Sequence, residues 1–260
     1  MVAPNGARRT KADHPALPVT IAETVATAKD CWAVGAEGIH AHIRDNNQQH
    51  ILDAGLYKEL IAELHINVPK MAVQITTEAV DLYTPQQQSQ LVVDVQPTMV
   101  SVALCEMLRD ENTARHFYSA SAEAGITIQH ILYSIDELKH FIALNRNNFF
   151  ATEHTQLLFV LGRYTQGQQS HPDTLDAFID ILKEHHLKAD WAVCAFGSQE
   201  TQCAKRAFLL GGKARIGFEN SLWNDDGRRA ENNAERIIEV EKIRKEISTE
   251  PSALPHLFLQ

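Results

Sequence analysis

A (β/α)8 TIM barrel, an α/β fold of eight parallel strands each followed by a helix, is the fold class this sequence predicts. Three observations carry the prediction. Strand-like and helix-like segments alternate from end to end, and 260 residues is the usual span of one such barrel, here a single domain over 1–260. No glycine-rich dinucleotide fingerprint is present to favour an open, doubly wound sheet.

The opening strand falls at 2–4. It begins only at Val2, so either the start is trimmed or the first strand is clipped. The first helix is the most clearly written: Thr20 and Glu23 form a capping box, Ile21, Val25, Ala28 and Trp32 recur at helical spacing, and Gly35 suits the exit. A strand follows at 38–42. Further strands are expected at 71–76, 99–104, 127–132, 157–161, 190–195 and 214–217. Helices are expected at 56–65, 84–94, 112–124, 135–144, 173–186, 200–210 and 230–246. The polar stretches 45–50, 164–172 and 224–233 all follow strands, where a barrel builds its active-site loops.

Composition narrows the function classes. A formal charge of −9 argues against a surface that neutralises phosphate backbones, so nucleic acid is not an expected partner. An apolar fraction of 44% and a charged fraction of 22% are those of a globular protein, and no apolar run is long enough to cross a bilayer. Cys31, Cys105, Cys194 and Cys203 are scattered and form no C-x-x-C pair, so they fit reduced, mostly buried thiols. The first residues lack a basic region followed by an apolar one, and a cytoplasmic location is the default expectation.

The chemistry concentrates at His40-Ala41-His42-Ile43-Arg44-Asp45. Period two on a strand puts both histidines and Arg44 on one face. Two imidazoles side by side at a strand's C-terminal end can chelate one cation at about 2.0–2.1 Å per nitrogen. The bland reading is a pair of hydrogen-bonded core histidines. The polar residues that follow weigh against it, because imidazoles and a guanidinium buried without partners are costly. Glu219, at the exit of the eighth strand, would complete a His2Glu set with an open position, the mark of a catalytic zinc. Arg215, four residues earlier, shares its face if the strand continues. The alternative for Glu219 is a surface acid paired with a nearby cation.

These residues resemble the β-keto acid cleavage enzymes over nearly the whole chain. The likeness rests on Ala3-Pro4-Asn5-Gly6-Ala7-Arg8 with Thr10-Lys11-Ala12-Asp13-His14-Pro15, on the H-x-H-x-R-D segment, on Gln74-Ile75-Thr76-Thr77 and on Arg215-Ile216-Gly217-Phe218-Glu219-Asn220. The resemblance implies a zinc-bearing barrel that converts a β-keto acid plus acetyl-CoA into acetoacetate and a new acyl-CoA, assembled as a homo-oligomer, a dimer or tetramer. It implies His40, His42 and Glu219 as zinc ligands and places Thr76 and Ser101 where a hydroxyl meets the substrate. Asn5, Arg8, Thr77 and Glu78 go with substrate binding. Arg215 matches an arginine that works in a dyad with the acid after the zinc-binding glutamate, and here that position is Asn220. A neutral amide is not a general base, so Asp45, Glu78 and a zinc-bound hydroxide stand as open substitutes. Gln129, Ile131 and Ser134 also stand where relatives often carry acids. Arg8 stands where an amino-substrate relative has Glu, which favours a neutral or anionic substrate tail; the plain alternative is that Arg8 pairs with Asp13 or Glu219.

Other groups read as structure. His185 and His186 end a helix and complement its dipole. His130 and His154 are expected to be hydrogen-bonded or exposed, Trp191 and Phe196 to be core, and Arg228 with Arg229 to be solvated. Two further functions remain open on these residues: a zinc-dependent barrel hydrolase, which would need no acetyl-CoA, and a non-catalytic barrel that binds a metal or metabolite.

Overall fold

A computed structural model describes residues 1–152, 155–163 and 165–249. Seven strands form one curled, all-parallel sheet in chain order: β1 (Gly38–Ala41), β2 (Ala72–Thr76), β3 (Met99–Ala103), β4 (Thr127–Leu132), β5 (Gln156–Leu161), β6 (Asp190–Ala195) and β7 (Lys213–Ala214). The first strand and the segment just after the last meet the same residue. Val2 forms parallel bridges with Ile39 and with Ile216, held by Val2 N–H to Gly38 O at 2.8 Å and Ala3 N–H to Ile216 O at 2.8 Å.

The crossovers are helical, as parallel pairing requires. They comprise α1 (Ile21–Ala33), α2 (Ala54–Asn67), α3 (Pro85–Val95), α4 (Leu104–Met107), α5 (Glu111–Glu123), α6 (Ile135–Arg146), α7 (Thr174–Glu184), α8 (Glu200–Leu209) and α9 (Asn233–Thr249). Their starts follow local chemistry. Thr20 and Thr84 close capping boxes with Glu23 and Gln87, and the side chains of Asp53, Asp110 and Ser134 each accept one orphan N–H of the helix they begin.

Strand alternation sorts the core into two layers. Ile39, Ile75, Val100, Leu132, Phe159 and Val193 face the helices and join one large apolar cluster with side chains such as Leu60, Leu91, Phe141 and Phe178. Ala103, Ile131, Leu158, Val160, Ala192 and Cys194 form a smaller cluster on the inner face. Burying a large apolar side chain contributes roughly 1.5–3 kcal/mol, so the outer layer supplies most of the stability and leaves the inner face available for polar groups.

Several expectations are corrected. The opening strand at 2–4 is reduced to the bridges at Val2, and the strand at 214–217 to the two residues of β7 plus the bridge at Ile216. Gly217 ends that strand: its φ is +144°, and a Cβ there would lie 2.5 Å from Ala3 O. The helix expected from 230 starts at Asn233, and the short α4 was not anticipated. His130 is neither exposed nor bonded through Nδ1. It is buried among Tyr118, Phe141 and Phe150, with Nδ1 unpartnered among the described residues. Residues His154 and Tyr164, and the end of the expected domain at 250–260, lie outside the described residues.

Candidate active site

Period two at the end of β1 turns His40 and His42 to the inner face, where their Nε2 atoms lie 3.1 Å apart. Gln74 stands opposite His40 in the β1–β2 register, and its Oε1 is 2.9 Å from His40 Nδ1. A carboxamide oxygen only accepts, so Nδ1 carries the proton and Nε2 keeps its lone pair. Gln74 is held in turn by donating Nε2–H to Gln129 Oε1 at 3.3 Å. Asn5 fixes His42 by its backbone, donating to His42 O at 2.9 Å and accepting from His42 N at 3.3 Å.

The third donor arrives from the turn after β7. Glu219 N donates to Ala3 O, and the carboxylate reaches back to 3.8 Å from His40 Nε2 and 3.6 Å from His42 Nε2. The strand does not continue to Glu219, yet Arg215 NH2 lies 3.6 Å from its Oε1. Gly6 makes room for this carboxylate, because a Cβ at that position would be 2.5 Å from Glu219 Cγ.

These three side chains fit a metal ion. Their ligand atoms all lie within 4.8 Å of one another, and ligand bonds of 2.0–2.1 Å arranged tetrahedrally span edges of roughly 3.3–3.4 Å, which the observed separations bracket. Glu219 Oε2 is buried with no hydrogen-bond partner among the described residues. Burial, then Arg215, pushes the His40 imidazole well below its ordinary range. Burial works to raise the Glu219 carboxyl, but Arg215 and His40 outweigh it and hold the group well below its ordinary value. Neutral imidazole and ionised carboxylate are the forms a metal takes.

Above the cluster is a cavity at the C-terminal ends of the strands. Ser101 Oγ is buried on its wall without a partner among the described residues, and Thr76 beside it accepts from Glu78 N at 3.0 Å. Glu78 pairs with Arg163 at 3.1 Å, and that guanidinium stacks 5.2 Å over Phe196. Phe196, expected as core alone, is thus also cavity wall. Arg8 is exposed at the rim and pairs with neither Asp13 nor Glu219, while Arg9 donates to Asn220 O at 3.2 Å and to Phe218 O.

Other residues expected at the site are engaged elsewhere. Arg44 is buried and donates to the carbonyls of Gly6, Ala7, Arg9 and Gln48, clamping the loop that carries Arg8. Thr77 is off the cavity wall and donates to Ser101 O at 3.1 Å. Asn220 is fully buried off that wall: Nδ2 donates to Glu200 Oε1 at 3.1 Å and Arg215 O at 3.0 Å, and Oδ1 accepts from Cys194. Asp45 accepts two N–H groups of its own loop, from Asn47 and Gln49. Sequence reasoning missed Arg9, Arg163, Glu200 and the orienting role of Gln74. Arg163 had a usable signal, since it lies two residues past the end of β5, where a barrel places functional side chains.

A parallel α/β sheet whose strand ends bring two histidines and a glutamate under an arginine-rimmed cavity defines an enzyme class with its site at the C-terminal face. The chain belongs to the beta-keto acid cleavage enzyme family, whose model matches residues 1–255. It is 25% identical over 253 residues to the 3-keto-5-aminohexanoate cleavage enzyme of Fusobacterium nucleatum, covering 94% of this chain and 90% of that one. It is 21% identical to the 3-oxoadipate:acetyl-CoA acetyltransferase of Cupriavidus necator, covering 94% and 87%. Among solved structures it resembles ObcA in binary complex with oxaloacetate, with a TM-score of 0.70 at 12% identity; 90% of this chain is covered, and it spans only 64% of that one. The 3-hexulose-6-phosphate synthase of Salmonella typhimurium shares the fold at a TM-score of 0.58 and 19% identity, covering 88% and 95%.

Proposed function

We propose that this chain is a zinc-dependent β-keto acid cleavage enzyme that combines a β-keto acid with acetyl-CoA to give acetoacetate and a new acyl-CoA. The observation that carries this reading is the convergence of His40, His42 and Glu219 beneath the cavity. The bridges of Val2 to β1 and to Ile216, just after β7, support a closed (β/α)8 barrel with this cavity as its mouth. The names of the acetyl-CoA-dependent relatives support the co-substrate.

Zinc held by His40, His42 and Glu219 would supply Lewis acidity, withdrawing charge from the substrate's carboxylate and β-carbonyl and so acidifying the C2–H between them. The protein's own groups do the rest. Arg215, buried beside Glu219, offers a fixed positive charge on the cavity floor where negative charge develops. Ser101 Oγ, buried without a partner among the described residues, is available to hydrogen-bond a substrate oxygen, and Thr76 pairs with it in the β2–β3 register. Arg8 favours a neutral or anionic tail over a cationic one, and its fork, unpaired among the described residues, suits a distal carboxylate. In this reading Asn5, Thr77 and Asn220 position the backbone that carries the reacting groups.

Metal analysis of the purified protein, combined with an assay of acyl-CoA formation over acidic, neutral and amino-substituted β-keto acids, tests the reading. The expected result is bound zinc and acetyl-CoA-dependent turnover, both lost in His40→Ala. Cleavage that proceeds without acetyl-CoA would favour a hydrolase instead, and tight keto-acid binding with no turnover a non-catalytic barrel.

A further inference from the structure

The reaction proposed above needs a base for the C2 proton, and the structure decides among the acids near the site. Asn220 is an amide turned away from the cavity. The carboxylate behind it, Glu200, is sealed from the cavity and consumed by Gly217 N, Asn220 Nδ2 and Arg236. Asp45 caps its own loop and is absent from the cavity wall. Glu219 is committed to the metal cluster.

We infer that Glu78 is the catalytic base. Apart from Glu219, it is the one carboxylate among the described residues that lines the cavity, which Thr76, Ser101 and His40 also line. Its placement follows from the exit of β2: Thr76 Oγ1 accepts Glu78 N, which turns the chain so that the side chain enters the cavity. Arg163 holds Oε1 at 3.1 Å, and Oε2 has no hydrogen bond among the described residues. Arg163 is itself fixed by the face of Phe196, so the carboxylate is tethered at one oxygen and free at the other. A base needs that arrangement, because one oxygen must be positioned while the other meets a proton.

The proton balance is closed. The Oε2 lone pair of Glu78 takes the C2 proton, and the C–H electron pair remains on the substrate as the enolate that attacks the thioester carbonyl. That attack expels CoA as the thiolate, which adds to the original β-carbonyl; the bond between that carbon and C2 then breaks, giving the new acyl-CoA, and the same Glu78 O–H returns the proton to C2 of the departing acetoacetate enolate. Glu78 ends as the carboxylate, and no other reactant is consumed.

This inference rests on the function proposed above, and exchange at C2 separates the two. The zinc-loaded protein is incubated with 3-oxoglutarate in D2O without acetyl-CoA, and loss of the C2 proton signal is followed by NMR. Wild type and Asp45→Asn are expected to exchange at similar rates. Glu78→Gln, which keeps an Oε1 to accept from Arg163, is expected to exchange at least about a hundredfold more slowly, the usual loss on removing a general base, with zinc content and keto-acid affinity retained. Exchange by Glu78→Gln at the wild-type rate would overturn Glu78 as the base and leave the proposed function standing. No exchange and no turnover by wild type would overturn both.

Discussion

Gln74 Oε1 receives the Nδ1–H of His40 across the β1–β2 register at 2.9 Å, and this single contact determines which nitrogen of His40 faces Glu219. The carboxamide does for His40 what a carboxylate or backbone carbonyl does for the imidazoles of many metal sites.

Replacing Gln74 by Leu removes the tautomer lock without adding bulk. Loss of such an orienting partner typically lowers metal affinity about 10–100-fold. Competition with a zinc indicator measures it; wild-type affinity in Gln74→Leu would show that His40 needs no orientation.

Gly6→Ala is expected to displace Glu219. The backbone there has φ of +60°, and the new Cβ would fall 2.5 Å from Glu219 Cγ. Backbone strain should lower stability by about 1 kcal/mol, while the carboxylate is forced off its position and zinc binding weakens far more than that loss implies. Calorimetric unfolding with and without zinc separates the two effects, and an unchanged zinc-induced shift in Tm would contradict the prediction.

The fully buried Arg236 donates to Glu200 at 2.8 Å, and Glu200 in turn accepts from Gly217 N and Asn220 in the turn that carries Glu219. Arg236→Met leaves an uncompensated buried carboxylate, a loss of about 3–5 kcal/mol. Urea unfolding should show this, with Arg236→Met/Glu200→Gln recovering part of it. A loss under about 1 kcal/mol in the single variant would mean that water reaches Glu200.

His130 makes stability fall in acid. Burial pushes its imidazole from 6.5 down to about 3, so between those values the unfolded chain binds a proton that the folded one does not. Its contribution is complete above pH 6.5 and is lost as pH falls toward 3, at up to about 1.4 kcal/mol per pH unit. His130→Phe, suited to the ring of Tyr118, Phe141 and Phe150, should flatten that acid limb in chemical denaturation. Parallel curves for the two proteins across this window would refute the assignment.

Much of the site was legible before folding because its parts are short-range. The H-x-H spacing puts two imidazoles on one face whatever surrounds them, and Glu219 announced itself at the exit of a strand. Arg44, expected on that face, does not line the cavity, since its guanidinium is taken up by the carbonyls of the loop at residues 6–9. Asn220 follows Glu219 in the chain, but the turn begun at Gly217 sends the two side chains in opposite directions.

Alternating hydrophobic periods and one capping box, acting within a few residues of each other, were enough for the sequence alone to determine the β/α order, the start of the first helix and the histidine pair. The tertiary structure alone decided that Glu78 meets Arg163, 85 positions away, that Arg236 reaches Glu200, and that Val2 bridges β1 and the segment just after β7. Those pairings depend on which loops the curled sheet brings side by side, and no local propensity encodes the distance between two strand ends.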